Sequence, residues 1–153
     1  MKNLYLAVFA TLILTSCAFA QLTDQRVAVV MEVKGKVEVK TAGKKWQPAT
    51  VGTILKQNDT IRTNKNSSAV LNLDGKAQTA TVEVNQKTEL SLAEMAAVKD
   101  KNIQKTLLDL SLGNILIKAK KLHSEKSSFE VKTPTSVVAV RGTTFAVSVE
   151  AAE

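Results

Sequence analysis

The chain has 153 residues, enough for one domain with a hydrophobic core, and its formal net charge is +7. The positive excess is almost wholly lysine, because Arg26, Arg62 and Arg141 are the only arginines. Proteins that read nucleic-acid grooves rely on arginine, and those that bind single strands rely on stacked aromatic side chains. Aromatic residues make up only 4% of this chain. The composition therefore argues against a nucleic-acid partner.

The first twenty residues have the pattern of a secretory signal peptide. Lys2 provides a basic start, an apolar run covers 4–14, and Ala18-Phe19-Ala20 is a small-residue cleavage signal. The apolar run is shorter than the roughly 20 residues that a membrane-spanning helix needs. The pattern predicts cleavage after Ala20 and export of the protein to the periplasm or the cell exterior.

A second processing route overlaps the first, because Leu14-Thr15-Ser16-Cys17 resembles the bacterial lipobox. In that motif a lipid is attached to the cysteine and the chain is cut just before it, which would remove residues 1–16. Cys17 is the only cysteine. Cleavage after Ala20 would therefore leave a chain that depends on its core and not on disulfides. A lipid on Cys17 is the one membrane attachment that we expect, and both routes stay open.

Beyond the leader, alternation of apolar and polar residues predicts β-strands. It starts with apolar residues at four odd-numbered positions, Val27, Val29, Met31 and Val33, although the apolar Val30 interrupts it. Short apolar segments follow, separated by turn residues at Pro48, Gly52, Asn58-Asp59, 64–67 and Asp74-Gly75. We expect Trp46, which comes just before Pro48, to pack over the edge of the core.

Residues 93–104 depart from this pattern. They are rich in helix formers and do not sustain a two-residue alternation, so they predict a short helix or an irregular loop. Alternation returns at 108–112, Gly113-Asn114 indicates a tight turn or a bulge, and 115–119 predicts another strand. These three segments together predict a hairpin.

About ten short strands with frequent turns predict a single all-β domain over 24–153, either an antiparallel β-sandwich or a partly closed barrel. We expect its many lysines to lie on solvated faces and turns, where they discourage edge pairing. Attraction to anionic envelope polymers or to lipid headgroups is the alternative. The lysines in question are Lys34, Lys36, Lys40, Lys44, Lys45, Lys118, Lys120 and Lys121.

The sequence offers no set of residues for catalysis. His123 is the only histidine and lies in a segment rich in lysine and serine, where a surface position is expected. The sequence contains no nucleophile elbow, no pair of His or Cys residues for a transition metal, and no glycine-rich phosphate loop. We therefore predict a protein that is not an enzyme and that has no catalytic residue, no metal and no cofactor.

Several motifs, in order along the chain, resemble the FecR domain, the extracytoplasmic part of the ferric-citrate regulator family. The most specific is VKTPTSVVAVRGTTF, Val131 to Phe145. The earlier ones are 33–37, 46–49 with Gly52, 58–63, 66–69, 71–75 and the Leu-x-x-Gly turn at 110–113. The resemblance implies an exported all-β module that takes part in binding or signalling.

We interpret the conspicuous residues of the closing motif as structural. They are Thr133, Pro134, Arg141, Gly142, Thr143 and Phe145. Thr133-Pro134 predicts the entry to an edge strand, and the Arg141 guanidinium is placed to bind carbonyl groups or a carboxylate. Gly142 predicts a bend. We expect that bend to turn five side chains toward the core, namely Val138, Val140, Phe145, Val147 and Val149.

The chain also departs from the family pattern. Asn58 replaces a usual glycine, which is tolerable because Asn readily adopts left-handed backbone, and Thr144 replaces a residue that is often acidic. The sequence ends eight residues after Phe145, where relatives usually add strands, so we expect an open edge at 145–149 or a shortened domain.

Signalling members of the family place a cytoplasmic anti-sigma segment and a transmembrane helix before this domain, and we expect neither here. The sequence thus predicts an exported, non-enzymatic module that contacts a protein or an anionic envelope polymer. The alternative is a structural envelope lipoprotein anchored through Cys17.

Overall fold

The computed structural model describes residues 24–75, 78–98, 103–121 and 124–150, so the predicted leader, Cys17 and His123 lie outside the described residues. The described chain is all-β, with thirteen strands and no helix. The strands are β1 (Asp24–Gln25), β2 (Ala28–Lys34), β3 (Val37–Lys40), β4 (Gln47–Pro48), β5 (Ile54–Leu55), β6 (Thr60–Thr63), β7 (Ser68–Leu73), β8 (Ala80–Val84), β9 (Glu89–Val98), β10 (Ile103–Ala119), β11 (Ser128–Lys132), β12 (Val137–Ala139) and β13 (Thr144–Val149). Three of them, β1, β4 and β5, have only two residues, which explains why the predicted number was lower.

The strands form one curled sheet whose two halves share β10. We call the half with strand order β4-β3-β6-β9-β10-β11-β12 sheet A, and the half with order β5-β2-β7-β8-β10-β13 sheet B. Strand β1 pairs with the end of β9. Every described pairing is antiparallel except that of β10 with β11. The arrangement is a half-barrel, and the prediction of an all-β, partly closed barrel is confirmed.

Strand β10 continues through the place where a hairpin was predicted. Its seventeen residues cross from sheet A to sheet B, with a shift in register against β9 between Leu110 and Leu112. Gly113 follows at once with a φ of 99°, and a Cβ atom there would lie 2.5 Å from the Cα of Thr88. The predicted hairpin is therefore wrong: this glycine irregularity lets the strand pass close to Thr88 and change partners.

The predicted helix or irregular loop at 93–104 is also wrong where the structure describes it. Strand β9 runs to Val98, and β10 begins at Ile103. Leu108 pairs with Leu92 and Leu107 pairs with Glu94, so Ala93 is an extra residue in β9. Because of this extra residue, the buried side chains of β9 lie at even-numbered positions before Ala93 and at an odd-numbered position after it. This change hides the alternation in the sequence. Pairing along β10 outweighs the weak helix propensity of the segment.

The core fills the space between the two halves of the curled sheet. Its largest fully buried side chains come from six strands and are Val30, Leu55, Ile61, Leu71, Leu73, Leu90, Leu92, Met95, Leu108, Leu110, Ile115 and Ile117. On β2 the buried residues are Ala28 and Val30, whereas Met31 is exposed. The expected parity is therefore reversed in the first half of the strand. The strand is irregular between Val30 and Glu32, and beyond that point Val33 packs against the core as expected.

Candidate protein-binding surface

A cleft opens where sheets A and B separate. Strand β10 pairs with β11 along its first half and with β13 along its second, so β12 and β13 end the two sheets on the same side of the fold. The cleft between them has a volume of about 430 Å³. It is lined by Ser111 and Leu112 of β10, by the turn 133–136, and by 147–150 at the end of β13.

The turn on one wall of the cleft is held by Thr133. Its backbone N–H donates to the carbonyl of Ser136 at 2.8 Å, and the N–H of Ser136 donates to Thr133 Oγ1 at 3.0 Å. Thr133 is buried, whereas Pro134 is exposed at the tip, where its fixed φ suits a turn. The structure thus places Thr133-Pro134 between β11 and β12, at the entry to an edge strand.

The next part of the closing motif fits closely against the end of β10. Gly142 has a φ of 74°, and a Cβ atom there would lie 2.5 Å from the Cα of Lys121. The carbonyl of Thr143 accepts a hydrogen bond from the N–H of Ala119. Phe145 packs against the core. These contacts fix the start of β13 beside β10.

Arg141 differs from its neighbours in the motif. Its side chain is exposed and makes no hydrogen bond or ion pair with any described residue. We expected its guanidinium to bind carbonyl groups or a carboxylate, and the described part of the chain supplies no such partner.

The strand before the bend carries the exposed apolar residues of this surface. Val137 is 60% exposed and Val138 is 37% exposed, so the expectation that Val138 faces the core is wrong. Val140 and Val147 are buried, and Val149 packs against the core, as expected. Three apolar residues in succession at 137–139 cannot all face one side of a strand, and this run was the sequence signal for the exposed patch.

Backbone groups of β12 and β13 point away from their sheets. Because Ala119 donates to Thr143, antiparallel alternation directs the N–H and C=O groups of Thr144, Ala146 and Ser148 outward from β10. Val140 donates to Phe129 in the same way, so the backbone of Ala139 points outward from β11. Among the described residues, both strands therefore present unpaired edges.

Trp46 lies on the outer face of sheet A, which points away from the core. It therefore does not pack over the edge of the core as we expected. Its ring is half-buried and lies 4.0 Å from the guanidinium carbon of Arg62, with Lys40 Nζ at 5.8 Å. Arg62 Nε in turn donates to Glu38 Oε2 at 3.0 Å. This hydrogen bond lowers the pKa of Glu38 below its ordinary value. Two cations thus lie close to the ring.

The remaining chemistry of the described ranges is sparse. The lysines singled out in the sequence are all exposed, and Lys118 Nζ forms an ion pair with Glu83 Oε1 at 2.6 Å. In these ranges no three His, Cys, Asp or Glu side chains come together as ligands for a metal ion. No helix suited to crossing a bilayer is found in the same ranges.

Comparison with known proteins identifies the family. The model of the FecR protein family matches residues 59–153, more than half of the chain. The matched range contains β6 to β13, and with them the cleft and the closing motif; the motifs before residue 59 lie outside it. Searches of curated proteins and of solved structures gave no significant match. The chain belongs to the FecR family.

Proposed function

We propose that this protein is an exported, non-enzymatic signalling module that binds a partner protein at β12 and the adjoining cleft. The observation that carries the proposal is the exposed apolar side chains at this surface: Leu112 in the lining of the cleft, and Val137 and Val138 directly after its turn 133–136. Apolar side chains grouped at the surface are typical of protein-binding sites. The FecR family is a signalling-related family, and a protein partner fits that role.

The charge of the cleft favours a protein over an anionic polymer. Its lining residues include one charged side chain, Glu150, and neither lysine nor arginine. A polyanion would need several cations in contact with it. The cleft instead offers small hydroxyl groups, a proline and valines, which suit an apolar side chain and a few hydrogen bonds.

The leader pattern and the family support the proposed location outside the cytoplasm. FecR domains are generally extracytoplasmic, and 1–20 have the pattern of a cleaved leader. A lipid on Cys17 would instead anchor the protein, with its binding surface, to a membrane. The intact mass of the exported protein distinguishes the two: an N-terminus at Gln21 supports a free protein, and a diacylglycerol adduct on Cys17 supports the anchor.

The binding proposal is tested by crosslinking in living cells. A photoreactive amino acid replaces Val137 in one strain and Val51 in a second. Val51 is a matched control because it is 66% exposed and lies in the turn before β5, in the other sheet. We expect a discrete crosslinked protein from position 137 only, and we expect Val137→Asp to abolish its capture from envelope extract.

Two results would contradict the proposal. One is the same crosslinked products from both positions, which would indicate random encounters. The other is capture that survives Val137→Asp but disappears at high salt, which would indicate binding through the lysines to an anionic polymer.

A further inference from the structure

The edge of β13 lacks the features that usually protect an edge strand. It is six residues long, and Thr144–Val149 contains no proline and no charged residue. The other described strands that end the sheets are shorter: β4 and β5 have two residues each, with Pro48 in β4, and β12 has three. Soluble proteins commonly shorten their edges or place lysine or proline in them. An edge of this length that has no partner strand among the described residues favours pairing with another strand.

The outward positions of β13 are small. Thr144, Ala146 and Ser148 direct their backbone N–H and C=O groups away from β10, and their side chains are exposed. Another strand can therefore approach to hydrogen-bonding distance without displacing a large side chain.

We propose that β13 pairs antiparallel with β13 of a second copy of this chain, about a twofold axis that passes beside Ala146. Antiparallel pairing places outward residues opposite outward residues. With Ala146 opposite Ala146 of the second copy, Thr144 lies opposite Ser148 of the second copy. Opposed Thr and Ser side chains form favourable cross-strand pairs, and opposed alanines leave the centre free of steric conflict.

In this register, opposite charges from the two copies come together at both ends of β13. Glu150 directly follows β13 and Arg141 lies just before the bend that leads into it, so the pairing brings Glu150 of each copy near Arg141 of the other. Within the described residues neither Glu150 nor Arg141 forms an ion pair. The twofold axis produces this contact twice, and it brings together the opposite charges that flank the strand. Such self-complementarity is what a symmetric interface requires, and it favours a second copy over an unrelated strand.

The same register extends the core. Phe145 and Val147 alternate with the outward residues and contact the core side of sheet B. Phe145 comes opposite Val147 of the second copy, an aromatic and β-branched pair of the kind that stabilises sheets. Dimerisation therefore doubles the width of sheet B. The edge of β12, with Val137 and Val138, stays outside this contact, although Ser148 and Glu150 of the dimer contact also line the cleft.

Sedimentation equilibrium of the protein purified after export tests the proposal. Because the contact is one pair of strands, we expect a monomer–dimer equilibrium with a Kd on the order of micromolar. Ala146→Lys places two lysines opposite each other on the axis and is expected to weaken the dimer at least about tenfold. Ala139→Lys adds the same charge to the exposed edge of β12 and should leave the Kd unchanged. Circular dichroism confirms that both variants fold.

A charge exchange tests the register. Arg141→Glu and Glu150→Arg are each expected to weaken the dimer several-fold, because each places like charges together at both ends. The double variant restores the opposite pairs and should recover most of the affinity. A protein that stays monomeric up to about millimolar concentration, beyond the range of a specific weak dimer, would overturn the proposal. A dimer that is insensitive to Ala146→Lys, or a double variant weaker than both single variants, would overturn it as well.

Discussion

The guanidinium of Arg26 binds both carboxylate oxygens of Asp74 inside the protein. Nε lies 2.6 Å from Oδ1 and Nη2 lies 2.5 Å from Oδ2, and the side chains are only 6% and 10% exposed. Arg26 also donates to Thr106 Oγ1 at 2.7 Å. The pair therefore connects the segment before β2, the turn after β7 and strand β10, which lie far apart in the sequence.

Loss of one partner of this pair should be costly. Asp74→Asn keeps the size of the side chain and tolerates the φ of 65° at this position, but it leaves the charge of Arg26 buried and without a carboxylate. Breaking a buried ion pair in this way costs about 3–5 kcal/mol. We expect a loss of that size in the free energy of unfolding, measured by urea denaturation.

Glu83→Gln is the control for this prediction. It removes the partner of Lys118 from an ion pair whose side chains are 53% and 37% exposed. Exposed pairs contribute roughly 0–1 kcal/mol. Equal losses in the free energy of unfolding for Asp74→Asn and Glu83→Gln would show that the buried pair stabilises the fold no more than the exposed pair does.

Gly142 allows a second prediction, with another glycine as its control. Gly142 and Gly43 have nearly the same φ, 74° and 75°, but a Cβ atom at 142 would meet Lys121 whereas one at 43 would meet nothing within 4 Å. Left-handed backbone costs a residue with a Cβ atom roughly 1–2 kcal/mol. We expect Gly43→Ala to lose about that much and Gly142→Ala clearly more, by thermal or urea unfolding. Equal losses would mean that the backbone of Lys121 moves aside.

The core of β10 was readable from its sequence, but its path was not. Alternation marked Leu108, Leu110, Leu112, Ile115, Ile117 and Ala119. Four of these are fully buried and Ala119 packs against the core, whereas Leu112 is 36% exposed. Whether the chain turns at Gly113 or continues depends on Thr88, which approaches that glycine from a distant part of the sequence. The local pattern predicts which side chains are buried. The choice between a hairpin and a bulge depends on Thr88, which only the folded chain brings next to Gly113.

The binding surface could also be predicted only in part, because its residues form a local motif but its shape depends on strand pairing. The closing motif was singled out from its sequence, and the structure places Thr133 and Gly142 at the turn and the bend that shape this region. The cleft itself arises because β11 and β13 pair with different halves of β10. The Arg26–Asp74 pair was missed because Asp74 was interpreted as a turn residue, although an arginine beside a core strand in a lysine-rich chain was a signal for it.

The acid response of sheet A provides the third prediction. The hydrogen bond from Arg62 lowers the pKa of Glu38, so the folded protein favours the carboxylate more than the unfolded chain does. A lowered carboxylate pKa stabilises the fold at pH values above the unfolded pKa. This stabilisation is lost as the pH falls through the folded pKa. Glu38→Gln removes the titrating group.

We therefore expect the difference in stability between the wild type and Glu38→Gln to be largest near neutral pH and to be lost at a pH below the ordinary Glu titration, which lies near 4.3. Trp46 reports the change because its ring lies against Arg62. Its fluorescence should shift with acid in the wild type, at a pH below the ordinary carboxylate range, and stay constant in Glu38→Gln. The same acid shift in both proteins would assign the response to another carboxylate.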